Sequence, residues 1–149
     1  MELYGHSSCL VENGSVLLFG GIGRQHRSHK IWKLFRNSVE ELIVEKNKNF
    51  ENLEMDMVHG NACWFKLKNE SYVCLYGGRK SPNKISNDGN AVILKLNDDE
   101  FIPIVMISTD HMPIPRYRSS MVCVIENENL VSFWVYGGRT SDLKVNKLR

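Results

Sequence analysis

Arginine recurs behind paired glycines in this chain. Arg79 directly follows Gly77-Gly78, Arg139 directly follows Gly137-Gly138, and Arg24 follows Gly20-Gly21 at a distance of three. Equivalent positions of a repeat project to one side. With Arg27, Lys30, Lys80 and Lys84 these side chains would then form a basic arc along one rim. Such an arc could hold RNA phosphates, a contact that positions a strand without reading its bases. The competing chemistry is local: each arginine pairs with a nearby carboxylate or carbonyl and fixes its own stretch of chain.

Other reactive side chains point away from catalysis. His6 and His59 stand at the openings of two similar segments, where Ser119 takes their place in a third. A catalytic histidine is not expected twice at one repeat position, so both read as strand-opening residues that bond nearby backbone. His26 and His29 are three apart, but no Cys or acidic residue lies close enough in sequence to complete a metal site, and a solvated loop is expected. His111, beside Met112-Pro113-Ile114-Pro115, belongs to a connection between units. Cys9, Cys63, Cys74 and Cys123 lie in apolar strand patterns without a CxxC pair, which predicts reduced core thiols. No phosphate-binding glycine loop, HExxH, GxSxG or copper-ligating Tyr/His set is present. No catalytic, cofactor-binding or metal-ligating residue is assigned.

The elements that must carry the arginines are strands. Three short apolar runs end on double glycines: Val16 to Gly21, Tyr72 to Gly78 and Ser132 to Gly138. The first glycines, at 20, 77 and 137, are 57 and then 60 residues apart, slightly longer than the period of about 50 in kelch-type arrays. Glycine there serves close packing and positive φ where strands converge. The residues just ahead, Phe19, Tyr76 and Tyr136, are expected to fill the wedge between neighbouring units. Each run is preceded by a strand and a turn built from Glu12-Asn13-Gly14, Lys68-Asn69-Glu70 or Glu126-Asn127-Glu128-Asn129. Third strands are predicted at 30–35, 91–96 and 143–148, and fourth strands at 41–45 and 101–107.

The fold class is therefore all-β: propeller blades of kelch type, two complete and one partial, over approximately 3–54, 55–113 and 114–149. Propellers close with about 4–8 blades. The chain is accordingly expected to be a piece of a larger protein, and in isolation to be weakly stable or to self-associate. Nineteen basic and seventeen acidic residues leave a net charge of +2, too little to imply nucleic acid by itself. No apolar run of membrane-spanning length and no signal-peptide pattern is visible, so a cytoplasmic protein without a membrane partner is expected.

The units resemble kelch repeats over nearly the whole chain. A narrower likeness rests on Tyr4-Gly5-His6-Ser7-Ser8-Cys9, Phe19-Gly20-Gly21-Ile22-Gly23, Gly77-Gly78-Arg79-Lys80-Ser81-Pro82 and Phe133-Trp134-Val135-Tyr136-Gly137-Gly138-Arg139. In that order they resemble the kelch region of the tRNA wybutosine-synthesizing protein 4 family, among the leucine carboxyl methyltransferase-like proteins. The resemblance implies a parent with an S-adenosylmethionine-dependent methyltransferase domain ahead of the propeller. The family methylates and methoxycarbonylates the wybutosine precursor beside the anticodon of tRNA(Phe). None of the family's methyltransferase motif residues falls on this sequence, so S-adenosylmethionine is implied for the parent alone. The partners implied are tRNA(Phe) and that methyltransferase domain. A general kelch module that binds a protein partner is the alternative.

Overall fold

The computed structural model describes residues 2–46, 48–81, 84–98, 100–107 and 114–140, and these are almost entirely β-structure. The first unit is a four-stranded antiparallel meander of β1 (Ser7–Leu10), β2 (Val16–Phe19), β3 (Ile31–Phe35) and β4 (Ser38–Val44). The second repeats it with β5 (Val58–Leu67), β6 (Glu70–Ser81), β8 (Ala91–Asn97) and β9 (Glu100–Ile107). A two-residue strand, β7 (Lys84–Ile85), folds back on the extended tail of β6. The third unit is a hairpin of β10 (Arg116–Asn127) and β11 (Leu130–Thr140). The strands predicted from the first two units are present. The strand predicted at 143–148, His111 and Pro82 lie outside the described residues.

Turn chemistry fixes each hairpin. Lys68 and Asn69 both take positive φ, 49° and 64°, which matches the twist a two-residue hairpin needs. The side-chain oxygens of Asn13 and Asn127 accept the N–H two residues on, from Ser15 and Asn129, each at 2.9 Å.

Side chains alternate between the two faces of every meander, and the faces form two cores. Leu17, Phe19, Ile31 and Leu42 of the first unit meet Val73, Leu75, Val92 and Leu94 of the second. Phe19 and Phe101 pack edge to face with ring centres 5.7 Å apart. On its other side the second unit offers Phe65, Cys74, Tyr76 and Ile93 to Met121, Cys123, Phe133 and Val135 of the third. Each fully buried side chain of this size stabilises by about 1.5–3 kcal/mol. Units therefore hold one another through sheet faces, and no unit has a core of its own.

The inner strands β1, β5 and β10 run side by side, β5 packing against both of the others. At the periphery β4 and β9 form a short parallel pair, Ile43 with Glu100 and Val44 with Phe101. The first two units thus make one nearly closed, barrel-like sheet, an all-β arrangement compatible with a propeller-like fold. Among the described residues no helix is long and apolar enough to cross a membrane. The four cysteines are free thiols. Burial, with neighbouring thiols adding to it, pushes Cys9 and Cys63 up to about 12, so few thiolates form at neutral pH.

Candidate nucleic-acid interface

Strand register aligns the three units residue by residue. Tyr4 bridges Ile22, Val58 pairs with Arg79, and Tyr117 pairs with Arg139. Arg79 and Arg139 are therefore equivalent, and their counterpart in the first unit is Ile22. Arg24 lies two residues further on. The same register corrects the placement of the histidines. Gly5, His59 and Arg118 share one position and one left-handed conformation, with φ of 66°, 58° and 55°. His6 instead corresponds to Gly60 and Ser119. The Ser119 hydroxyl accepts a 2.7 Å bond from Asn61 Nδ2 across the seam between units.

The paired glycines build that seam. A Cβ on Gly20 would overlap the Met57 carbonyl oxygen, and a Cβ on Gly77 would overlap the Arg116 carbonyl oxygen. Met57 and Arg116 are equivalent by register, Met57 just ahead of β5 and Arg116 the first residue of β10. The first glycine of each pair is thus the seat for the next unit's backbone. The Gly21 N–H donates to the Met57 carbonyl at 2.9 Å, and the His59 N–H donates to the Gly5 carbonyl at 2.6 Å. Gly137 has a similar φ, 68°, and no described residue lies within 4 Å of the corresponding position.

All the basic residues singled out in the sequence lie at one end of the strands, where β2, β6 and β11 finish and β1, β5 and β10 start. Their environments differ. Arg24 forms a two-pronged pair with Glu2, at 2.6 and 3.0 Å. Lys30 pairs with Glu41 at 2.6 Å and lies 5.4 Å from the Trp32 ring centre. Arg27 bridges units, donating to the Arg79 carbonyl at 2.8 Å and to the Asp56 carbonyl at 3.5 Å. Lys80 and Lys84 share Glu54 Oε1, at 2.7 and 3.3 Å, and Glu54 also accepts the Asn87 N–H at 2.8 Å. Burial alone would raise the Glu54 carboxyl, but these bonds outweigh it and hold it below its usual range. Lys80, Lys84 and Glu54 line a polar cleft of about 520 Å³ with His29, Asp56 and Asn87.

A second group of cations gathers where the second and third units meet. The Arg79 guanidinium lies 5.0 Å from the Tyr117 ring centre. Arg118 Nη2 approaches His59 Nε2 at 3.5 Å. Arg116 donates to the Ile114 carbonyl at 3.0 Å and to the Gly137 carbonyl at 2.9 Å. Burial first, then Arg118 and Arg79, push the His59 imidazole below its ordinary range. No carboxylate of the described residues pairs with Arg79, Arg116, Arg118 or Arg139 in a salt bridge, whereas Arg24, Lys30, Lys80 and Lys84 all have one.

The sequence reading singled out Arg79 and Arg139 but not Arg116 and Arg118, which stand beside them in the structure. Their signal was the Arg116-Tyr117-Arg118 run at the opening of the third unit, two cations flanking one ring. The expected interlocking of aromatics holds for Phe19 and Tyr76, while Tyr136 is 85% exposed against 2% for Tyr76. His26 and His29 are exposed, as a solvated loop requires. No protein-family model matches the chain, and no curated protein matches it.

Proposed function

We propose that this chain is a run of kelch-type propeller blades, two complete and one partial, that presents RNA through the cationic end around Arg79, Arg116, Arg118 and Arg139. The observation that carries the reading is the absence of a carboxylate pairing with any of these four arginines among the described residues. An unneutralised guanidinium cluster beside an aromatic ring suits a phosphate backbone, with Tyr117 free to share a cation–π contact. The resemblance to the tRNA wybutosine-synthesizing protein 4 family supplies the context. On that reading the chain assists a cytoplasmic, S-adenosylmethionine-dependent methyltransferase domain in hypermodifying tRNA(Phe) beside the anticodon. The chemistry and the cofactor belong to that domain. Arg24, Arg27, Lys30 and Lys80 act structurally here, through the pairs and bridges already described.

Binding of fluorescent tRNA, followed by anisotropy across a salt series, tests the proposal. Affinity should fall steeply with salt, and the R79E/R118E double variant should flatten the log–log slope by about two, one per lost phosphate contact. An unchanged slope in that variant would sink the RNA reading. A kelch module for a protein partner is the second reading. It is favoured by the pairing of Arg24 with Glu2, of Lys30 with Glu41, and of Lys80 and Lys84 with Glu54, which offsets most of the charge on that part of the same end.

A further inference from the structure

The two cores inside the chain define a repeating interface. In the second unit the rows Trp64–Val73–Leu94–Pro103 and Ala62–Leu75–Val92–Met106 cross the sheet and face the first unit. In the third unit Cys123–Phe133 and Met121–Val135 occupy the same rows and face the second. The first unit has these rows too. Leu10, Val16, Leu34 and Val39 are successive cross-strand partners over all four strands, next to Leu18 and Trp32. Among the described residues no other unit packs on Leu10 and Val39, which are exposed, while Leu18 is buried and Val16, Trp32 and Leu34 are half-buried.

The opposite face is uncovered at the other end. Cys74 and Tyr76, which the second unit presents to the third, correspond to Trp134 and Tyr136. These two lie beside Val122 and Val124, and all four side chains are exposed. Gly137 repeats the seat that at Gly20 and Gly77 holds the carbonyl of the next unit, and no described residue fills it. By register, the carbonyl equivalent to those of Met57 and Arg116 belongs to Leu3.

We infer that two copies of this chain associate head to tail, the outward face of the third unit of one copy packing on the outward face of the first unit of the other. Both halves of the interface are present in one polypeptide, and each already exists in covered form inside it. The Leu3 carbonyl takes the Gly137 seat. Two such contacts, related by a two-fold axis, close a ring of six units, within the size range of propellers. The apolar rows lie on the sheet faces, and the Gly137 seat alone adjoins the cationic end, where Arg116 donates to the Gly137 carbonyl.

Sedimentation equilibrium of the 149-residue chain tests this across a dilution series. Two-chain mass is expected for the wild type. Trp134→Lys, on the third unit, and Val39→Lys, on the first, should each give monomers, because each alters both contacts. Mixed in equal amounts, the two variants should recover dimers through the one contact still intact. Gly137→Ala should weaken association at least tenfold. Gly14→Ala, at a glycine that also has positive φ (82°) in an open hairpin turn, should not weaken it. Both substituted side chains are exposed, and circular dichroism checks that each variant folds. A monomeric wild type would overturn the inference and leave both faces to further units of a longer polypeptide. Undiminished dimers of Val39→Lys would overturn it in favour of a contact between two third units.

Discussion

His59 shows how one residue can be shaped by a backbone position. It holds a left-handed conformation that glycine holds in the first unit, and its ring faces Arg118 and lies in the field of Arg79. Its folded-state pKa is depressed, so the unfolded chain binds the proton more tightly. Stability from this group is complete above the ordinary histidine value of 6.5 and declines as pH falls below it towards the folded value. Thermal melts between pH 8 and about pH 5 should show that decline, and His59→Gln should remove part of it. Burial is the first cause of the shift, and an anion seated between Arg79 and Arg118 would offset the part that these two arginines add. RNA affinity should therefore rise as pH falls through the same window, and the rise should be absent in His59→Gln. Residues of this kind were only partly legible in sequence. His6 and His59 share a letter and an adjoining glycine, yet the shared position joins Gly5, His59 and Arg118, three unlike residues on one backbone conformation. Arg27 resembled a phosphate ligand, but its acceptors lie 29 and 52 residues away in sequence and no local pattern announces them.

At the scale of elements, the double glycines carried the most information. Gly20-Gly21 follow the end of β2, while Gly77-Gly78 and Gly137-Gly138 lie near the ends of β6 and β11, and the strands around them follow from turn residues and apolar runs. The continuation of β6 to Ser81, with β7 returning on it, was missed because Arg79-Lys80-Ser81 is polar and reads as loop. The parallel pairing of β4 with β9 was missed because it spans only two residue pairs, drawn from strands far apart in sequence. The seat formed by the first glycine makes a graded prediction. Gly20→Ala and Gly77→Ala combine left-handed strain with overlap on a backbone carbonyl, and should each cost on the order of 3 kcal/mol. Gly137→Ala carries the strain alone and should cost the folded monomer about 1 kcal/mol. Urea unfolding of the three variants at high dilution measures the difference. Equal losses would mean that the carbonyl seat contributes nothing.

At the scale of the molecule, the units are joined face to face and each depends on its neighbours. Repeat chains of this kind gain stability from every interface they complete. Head-to-tail association should therefore couple folding to concentration, and the thermal midpoint should fall on tenfold dilution. In Trp134→Lys, which leaves the internal cores untouched, the midpoint should not change with concentration. The repeat was legible in sequence at this scale, but which faces stay bare was not, since Trp134 and Tyr136 read like their buried counterparts. The seat at Gly137 has a further consequence, for inheritance. A position crowded by a neighbour's carbonyl rejects every side chain, whereas an open one admits alanine or asparagine at small cost. Under selection for activity in living cells, the spectrum of substitutions surviving at Gly137, set beside those at Gly20 and Gly77, would report whether anything occupies that seat there, without the protein ever being purified.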